Sequence, residues 1–188
     1  MWPMTLFEHP FPLLQWGTVI GASLVASLCD LRSRRIPNSL TGPLFIAGVA
    51  ASAAFGGAAG LLDAAAAGCL LAVPYVLLFV LAGGGAGDAK LMGALGAWLG
   101  VVQGAVTLAC VCACGVLLAL IFACSRNNLG SVLGRISGFG RAALAPLGSA
   151  TPRSVSFWLP VPDDSQKMPY GVAVLAGTVL SAYLFKIV

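Results

Sequence analysis

Two acidic side chains offer the chemistry in this sequence, Asp30 and Asp88. Only six carboxylates occur in 188 residues, and these two stand at the edges of apolar runs. Asp30 opens the polar stretch Asp30-Leu31-Arg32-Ser33-Arg34-Arg35-Ile36-Pro37-Asn38. Asp88 follows Gly83-Gly84-Gly85-Ala86-Gly87 and precedes Lys90 by two positions. Two nearby carboxylates in a partly desolvated site do not both ionise easily, so they share a proton. One then acts as base toward a water, and its protonated partner polarises a carbonyl. That is the chemistry of an aspartic endopeptidase, with no metal and no covalent intermediate. The glycines break helix and let another backbone approach the carboxylates. The single histidine, His9, lies near the start, and no histidine-based nucleophile constellation competes. No oxygen-rich cluster suggests a metal, and no cofactor is expected. A phosphate loop is excluded, because no G-K-[ST] follows the glycines and no strand precedes them.

Positioning two residues 58 apart requires a scaffold. The composition is 59% hydrophobic and 9% charged, with a mean hydropathy of +0.97. Soluble domains carry about 25% charged residues, so this chain reads as a polytopic, all-α membrane protein. One membrane-embedded domain over 1–188 is expected, in contact with the lipid bilayer and with no nucleic-acid partner. Six spans are expected, at 11–29, 39–55, 61–82, 91–103, 104–124 and from about 171 to 186. Pro74 is expected to kink the third. The fourth is short against the roughly 20 residues of a full crossing, so it either extends back through Asp88 or begins below the surface. Asn38 or Ser39 can cap the second helix. Within the polar loop 125–169, Leu129, Val132, Leu133, Ile136 and Phe139 recur at helical spacing, which suggests an amphipathic helix on the membrane surface; a plain loop fits as well. If the arginines after the first span lie in the cytoplasm, nine of the ten Lys and Arg residues fall on that side, and only Lys186 does not. Both termini then face outward, and Asp30 and Asp88 return to the same cytoplasmic boundary. The first ten residues hold no Lys or Arg, so the first run reads as a retained anchor and not a secretory signal.

Each feature also has a plainer reading. Asp30 can be a solvated helix end, and Asp88 can be an N-cap or a partner of Lys90. The glycine run can be a hinge. Gly93, Gly96, Ala97 and Gly100 form a small-residue face, suited to packing between neighbours or to a groove for a substrate helix. The six cysteines, with no C-x-x-C among them, read as small apolar packing residues. Two other functions stay open on the residues alone: an ion-coupled carrier using Asp88 as an intramembrane site, and a non-enzymatic assembly partner of a pilus or secretion machine.

Three motifs taken together resemble the type IV prepilin peptidases, the G-x-G-D membrane aspartic proteases of bacterial inner membranes. They are D-L-R-x-R-R-I-P-N over Asp30–Asn38, G-A-G-D over Gly85–Asp88 with Lys90 and Leu91 after it, and P-Y-G at Pro169, Tyr170 and Gly171. The resemblance implies that Asp30 and Asp88 are catalytic. It also places Gly85, Gly87, Lys90, Pro37, Asn38, Pro169, Tyr170 and Gly171 as groove or supporting residues. It implies a substrate as well: a prepilin or pilin-like protein whose short basic leader is removed on the cytoplasmic side, just before its hydrophobic helix. Larger members carry paired C-x-x-C motifs and methylate the new N-terminus. This chain lacks them, so it resembles the short peptidase-only form of tight-adherence (Flp-type) pili, with the archaeal preflagellin peptidases as related alternatives.

Overall fold

The computed structural model describes residues 12–33, 36–82, 85–125 and 170–185. All of it is helical apart from short connections. Helix α1 is Pro12–Ser33, α2 is Asn38–Ala82, α3 is Ala86–Ser125 and α4 is Tyr170–Leu184. Three of them are long and apolar enough to cross a membrane, over Leu13–Ser33, Asn38–Val80 and Ala86–Ile121. The surface-lying helix suggested within 125–169, and Pro169, lie outside the described residues.

Local sequence explains the boundaries. Pro12 opens α1, where its missing N–H costs nothing. Helix α1 runs four residues past the expected end at Cys29, so Asp30 stands inside its last turns. At the start of α2 the Pro37 carbonyl accepts from Leu40 N at 3.1 Å and from Thr41 N at 3.4 Å. Pro37 therefore holds the capping position expected of Asn38 or Ser39, and the Asn38 side chain is left for another partner. Backbone dihedrals in α2 stay helical through Pro43 and Pro74; the one break is at Gly57, not at Pro74.

The long helices fold back on themselves. Gly57 has φ 59° and ψ −144°, and Gly100 has φ 70° and ψ 177°, backbone that side chains with a Cβ rarely adopt. Past Gly57 the arms of α2 lie side by side: Gly60 packs on the Ser52 carbonyl, and Gly68 faces the Phe45 ring. Past Gly100 both arms of α3 pack on the second arm of α2, for Gly96 lies on Ala67 and Gly104 on the Leu71 side chain. Asp63 Oδ1 accepts from Val101 N at 3.2 Å, capping the second arm as it leaves the break. The expected boundary at Gln103 thus moves to Gly100. The fourth stretch reaches back to Ala86 and takes Asp88 into its first turn.

Small residues let the stretches approach. The interior holds Ala22, Ala26, Ala64, Ala67, Ala94 and Ala97 around Trp16, Leu71, Leu91, Met92, Leu95 and Leu99. Gly96 is packing of this kind, because a Cβ there would come 2.6 Å from the Ala67 carbonyl oxygen. Polar side chains bond across the bundle as lipid demands. Gln15 Nε2 donates to the Trp98 carbonyl at 2.6 Å and to Gln103 Oε1 at 2.9 Å, and the Thr107 and Ser181 hydroxyls lie 2.8 Å apart. The outward faces are apolar, as with Leu24, Leu28 and Leu31 on α1.

Helix α4 rests on α3 backbone to backbone. A Cβ at Gly177 would come 2.5 Å from Val111 Cα and 2.6 Å from Val111 N. Gly177→Ala is expected to destabilise the bundle by about 1–3 kcal/mol. The midpoint of thermal unfolding in detergent measures it, with Gly21→Ala as the control, since a Cβ there meets nothing within 4 Å.

Candidate active site

The two hairpins bring one set of helix ends together. Helix α1 ends at Ser33, and α2 starts at Asn38 and returns to Ala82. Helix α3 starts at Ala86, so Asp30 and Asp88 come back to the same end of the bundle. Both are half-buried, and the charge of Asp30 acts on Asp88. The start of α4 completes the cluster. Gly171 N donates to Asp30 Oδ2 at 2.8 Å, the bond expected where a carboxylate meets the N-terminal end of a helix. The close approach needs glycine: a Cβ at 171 would come 2.9 Å from Ser27 Cα and 3.0 Å from Asp30 Cβ.

Asp88 is placed by the first turn of α3. Its backbone N–H donates to the Gly85 carbonyl at 3.2 Å, and a Cβ at Gly85 would come 2.9 Å from Asp88 Oδ2. The absent side chain at 85 gives the carboxylate its space. The room at Gly87 is used differently from the expected substrate approach. It is taken up inside the chain, because a Cβ there would lie 3.2 Å from Ile36 Cβ. Gly87 lets the connection between α1 and α2 pack against the start of α3.

Lys90 does not pair with Asp88. Its Nζ donates to Asn38 Oδ1 at 3.0 Å, joining the starts of α2 and α3. Behind that pair opens an apolar groove of about 600 Å³, with Gly42, Phe45, Gly68, Ala72 and Gly93 in its walls. Ala89, Lys90 and Gly93 line it, so at 3.6 residues per turn Asp88 points to the opposite flank of α3.

Tyr170 and a residue that the motifs did not single out, Tyr75, stand beside the carboxylates. Their hydroxyls are 3.3 Å apart, and their rings meet edge-on at 5.9 Å and 68°. The charge of Asp88 acts on both phenols. The signal available in the sequence was a tyrosine inside an apolar run, whose hydroxyl needs a partner when buried. Among the described residues no group of three or more His, Cys, Asp or Glu side chains is arranged to hold a metal ion. The six cysteines are free thiols, with Cys110 buried.

An all-helical membrane protein with two interacting carboxylates at one end of its bundle is what these features define. The type IV leader peptidase family matches residues 18–120, more than half of the chain, and the protein belongs to that family. It is therefore a peptidase of the leader-cleaving type. The matched range holds Asp30 and Asp88, whereas Tyr170 and Gly171 lie beyond it and come to the cluster through the fold. No curated protein and no solved structure matches the chain.

The Gly171 contact yields a direct expectation. Gly171→Ala pushes the first turn of α4 away from Asp30 and is expected to lower peptidase activity by about tenfold or more, in line with one lost charge-assisted hydrogen bond. Gly21→Ala should leave cleavage unchanged. Gel-shift rates at matched protein levels in membranes decide between them.

Proposed function

We propose that the chain is an aspartic endopeptidase that removes the short basic leader of a prepilin or pilin-like protein. In this reading Asp30 and Asp88 are the catalytic pair. One carboxylate takes a proton from a water, and the resulting hydroxide attacks the scissile carbonyl. The other carboxyl gives its proton to the carbonyl oxygen, forming a tetrahedral diol. Collapse of the diol breaks the C–N bond, and a carboxyl proton passes to the leaving amine. The observation that carries the reading is that the helices return two half-buried carboxylates, 58 residues apart in the chain, to one end of the bundle, where the charge of one acts on the other. In this reading the pair sits at a membrane boundary, where an acid without a purpose would be costly.

The surroundings support a cytoplasmic site. Arg32, Arg34, Arg35 and Lys90 cluster in sequence around the two carboxylates, and the positive-inside rule puts such clusters in the cytoplasm. With six crossings, both termini face away from the cytoplasm, and the bacterial inner membrane is the fitting location. Pro37, Asn38, Lys90, Tyr170 and Gly171 then support the site by fixing the starts of α2, α3 and α4. Without C-x-x-C pairs, the chain is a peptidase that leaves the new N-terminus unmethylated, as in the Flp-type form. The contacts of both carboxylates within one cluster favour this reading over a carrier, which would need Asp88 alone.

The test is co-expression with a candidate prepilin and detection of leader removal by gel shift. Asp30→Asn and Asp88→Asn are each expected to abolish cleavage while the protein still inserts at normal levels. Near-full cleavage by either variant contradicts the pair. Cleavage in all strains assigns the cut to another protein.

A further inference from the structure

We propose that Tyr75 is a positioning residue of the carboxylate pair, acting through a hydroxyl pair with Tyr170. The inference rests on the peptidase reading and extends it to a residue outside the three motifs. Tyr75 is 5% exposed, in the second arm of α2. A hydroxyl buried there is costly unless it is bonded. Its partner is the Tyr170 hydroxyl, at 3.3 Å.

Counting protons shows what the pair can do. Two hydroxyls carry two protons, and a bond between them uses one. Among the described residues neither hydroxyl makes a second hydrogen bond, so one proton stays available. The two carboxylates are served unequally. Asp30 receives the Gly171 N–H, while the Asp88 side chain takes no hydrogen bond from a described residue. The charge of Asp88 nevertheless reaches both phenols. The available hydroxyl proton therefore lies in the field of the carboxylate that lacks a donor.

The neighbours hold the pair in place. Gly115, on the second arm of α3, leaves room for Tyr170: a Cβ there would come 3.0 Å from the hydroxyl oxygen. The edge-on ring contact fixes Tyr75 against Tyr170. Tyr170 also begins the turn whose next residue binds Asp30. Tyr75 thus orients Tyr170, and the pair directs its spare proton at Asp88. A separation of 3.3 Å is long for O–H···O, and contacts of this kind shorten when substrate closes the site.

The experiment compares wild type, Tyr75→Phe, Tyr170→Phe and the double variant, purified in detergent, on a prepilin-derived substrate. Asp88→Asn is run beside them. Each phenylalanine variant keeps its ring. We expect each single change to lower kcat about tenfold with KM nearly unchanged, the size of one lost hydrogen bond. The double variant should be no slower than either single one, because the hydroxyls act as a unit. Unfolding midpoints of Tyr75→Phe and of the double variant should match wild type, whereas Tyr170→Phe leaves the buried Tyr75 hydroxyl unpaired and should unfold somewhat earlier. Wild-type kcat in Tyr75→Phe overturns the proposal, and so do additive losses or a loss in Tyr75→Phe that follows its unfolding midpoint. If Asp88→Asn is active, the peptidase reading itself falls and the proposal falls with it. If Asp88→Asn is dead and Tyr75→Phe is fully active, only the role of Tyr75 is lost.

Discussion

The bond from the Gly171 N–H to Asp30 is the contact on which the arrangement turns. It joins residues 141 positions apart and ties the last described helix to the first. A carboxylate on a membrane helix must find a donor or reach water, since lipid offers neither. Here the donor is backbone at the start of α4, where uncompensated N–H groups point outward anyway. Only glycine admits that approach, with Ser27 Cα and Asp30 Cβ directly against the position a side chain would take. Burial, charge and close packing thus converge on one short turn, and the neighbouring tyrosine extends that turn toward α2.

The rest of the chain serves to return Asp88 to that turn. Two glycines with positive φ make the reversals, and Ala and Gly make the contacts between arms. Without a hydrophobic drive between helices in lipid, close van der Waals packing and occasional hydrogen bonds hold the bundle. Trp98 Nε1 on the Leu44 carbonyl, Ser52 on the Ala97 carbonyl and Thr107 with Ser181 are such bonds. They stabilise the scaffold away from the carboxylates, so the site end can keep polar groups that serve chemistry.

Much of this was legible in the residues, for physical reasons. Apolar runs of crossing length fix the helical class, and scarcity makes Asp30 and Asp88 stand out. What the residues did not reveal depended on packing between distant segments. Gly87 read as space for a substrate, yet Ile36 occupies that space. Asn38 read as a helix cap, yet its side chain takes the Lys90 ammonium while Pro37 caps. Lys90 was a possible partner of Asp88, and the two point to different flanks of α3. The reversal assigned near Gln103 fell at Gly100, because positive φ and not polarity decides where a helix can break. Tyr75 went unnoticed because its partner lies 95 residues away.

The claim that two distant carboxylates form one site is tested most directly by cross-linking in the membrane. Cysteines would replace Asp30 and Asp88 in a chain whose six native cysteines are removed. A short reagent with two thiol-reactive ends would then be applied. A parallel chain with cysteines at Tyr75 and Tyr170, whose rings meet at 5.9 Å, serves as the positive control. Efficient linkage of positions 30 and 88 within one chain is the expected result. Linkage in the control without linkage of 30 to 88 would contradict a shared site.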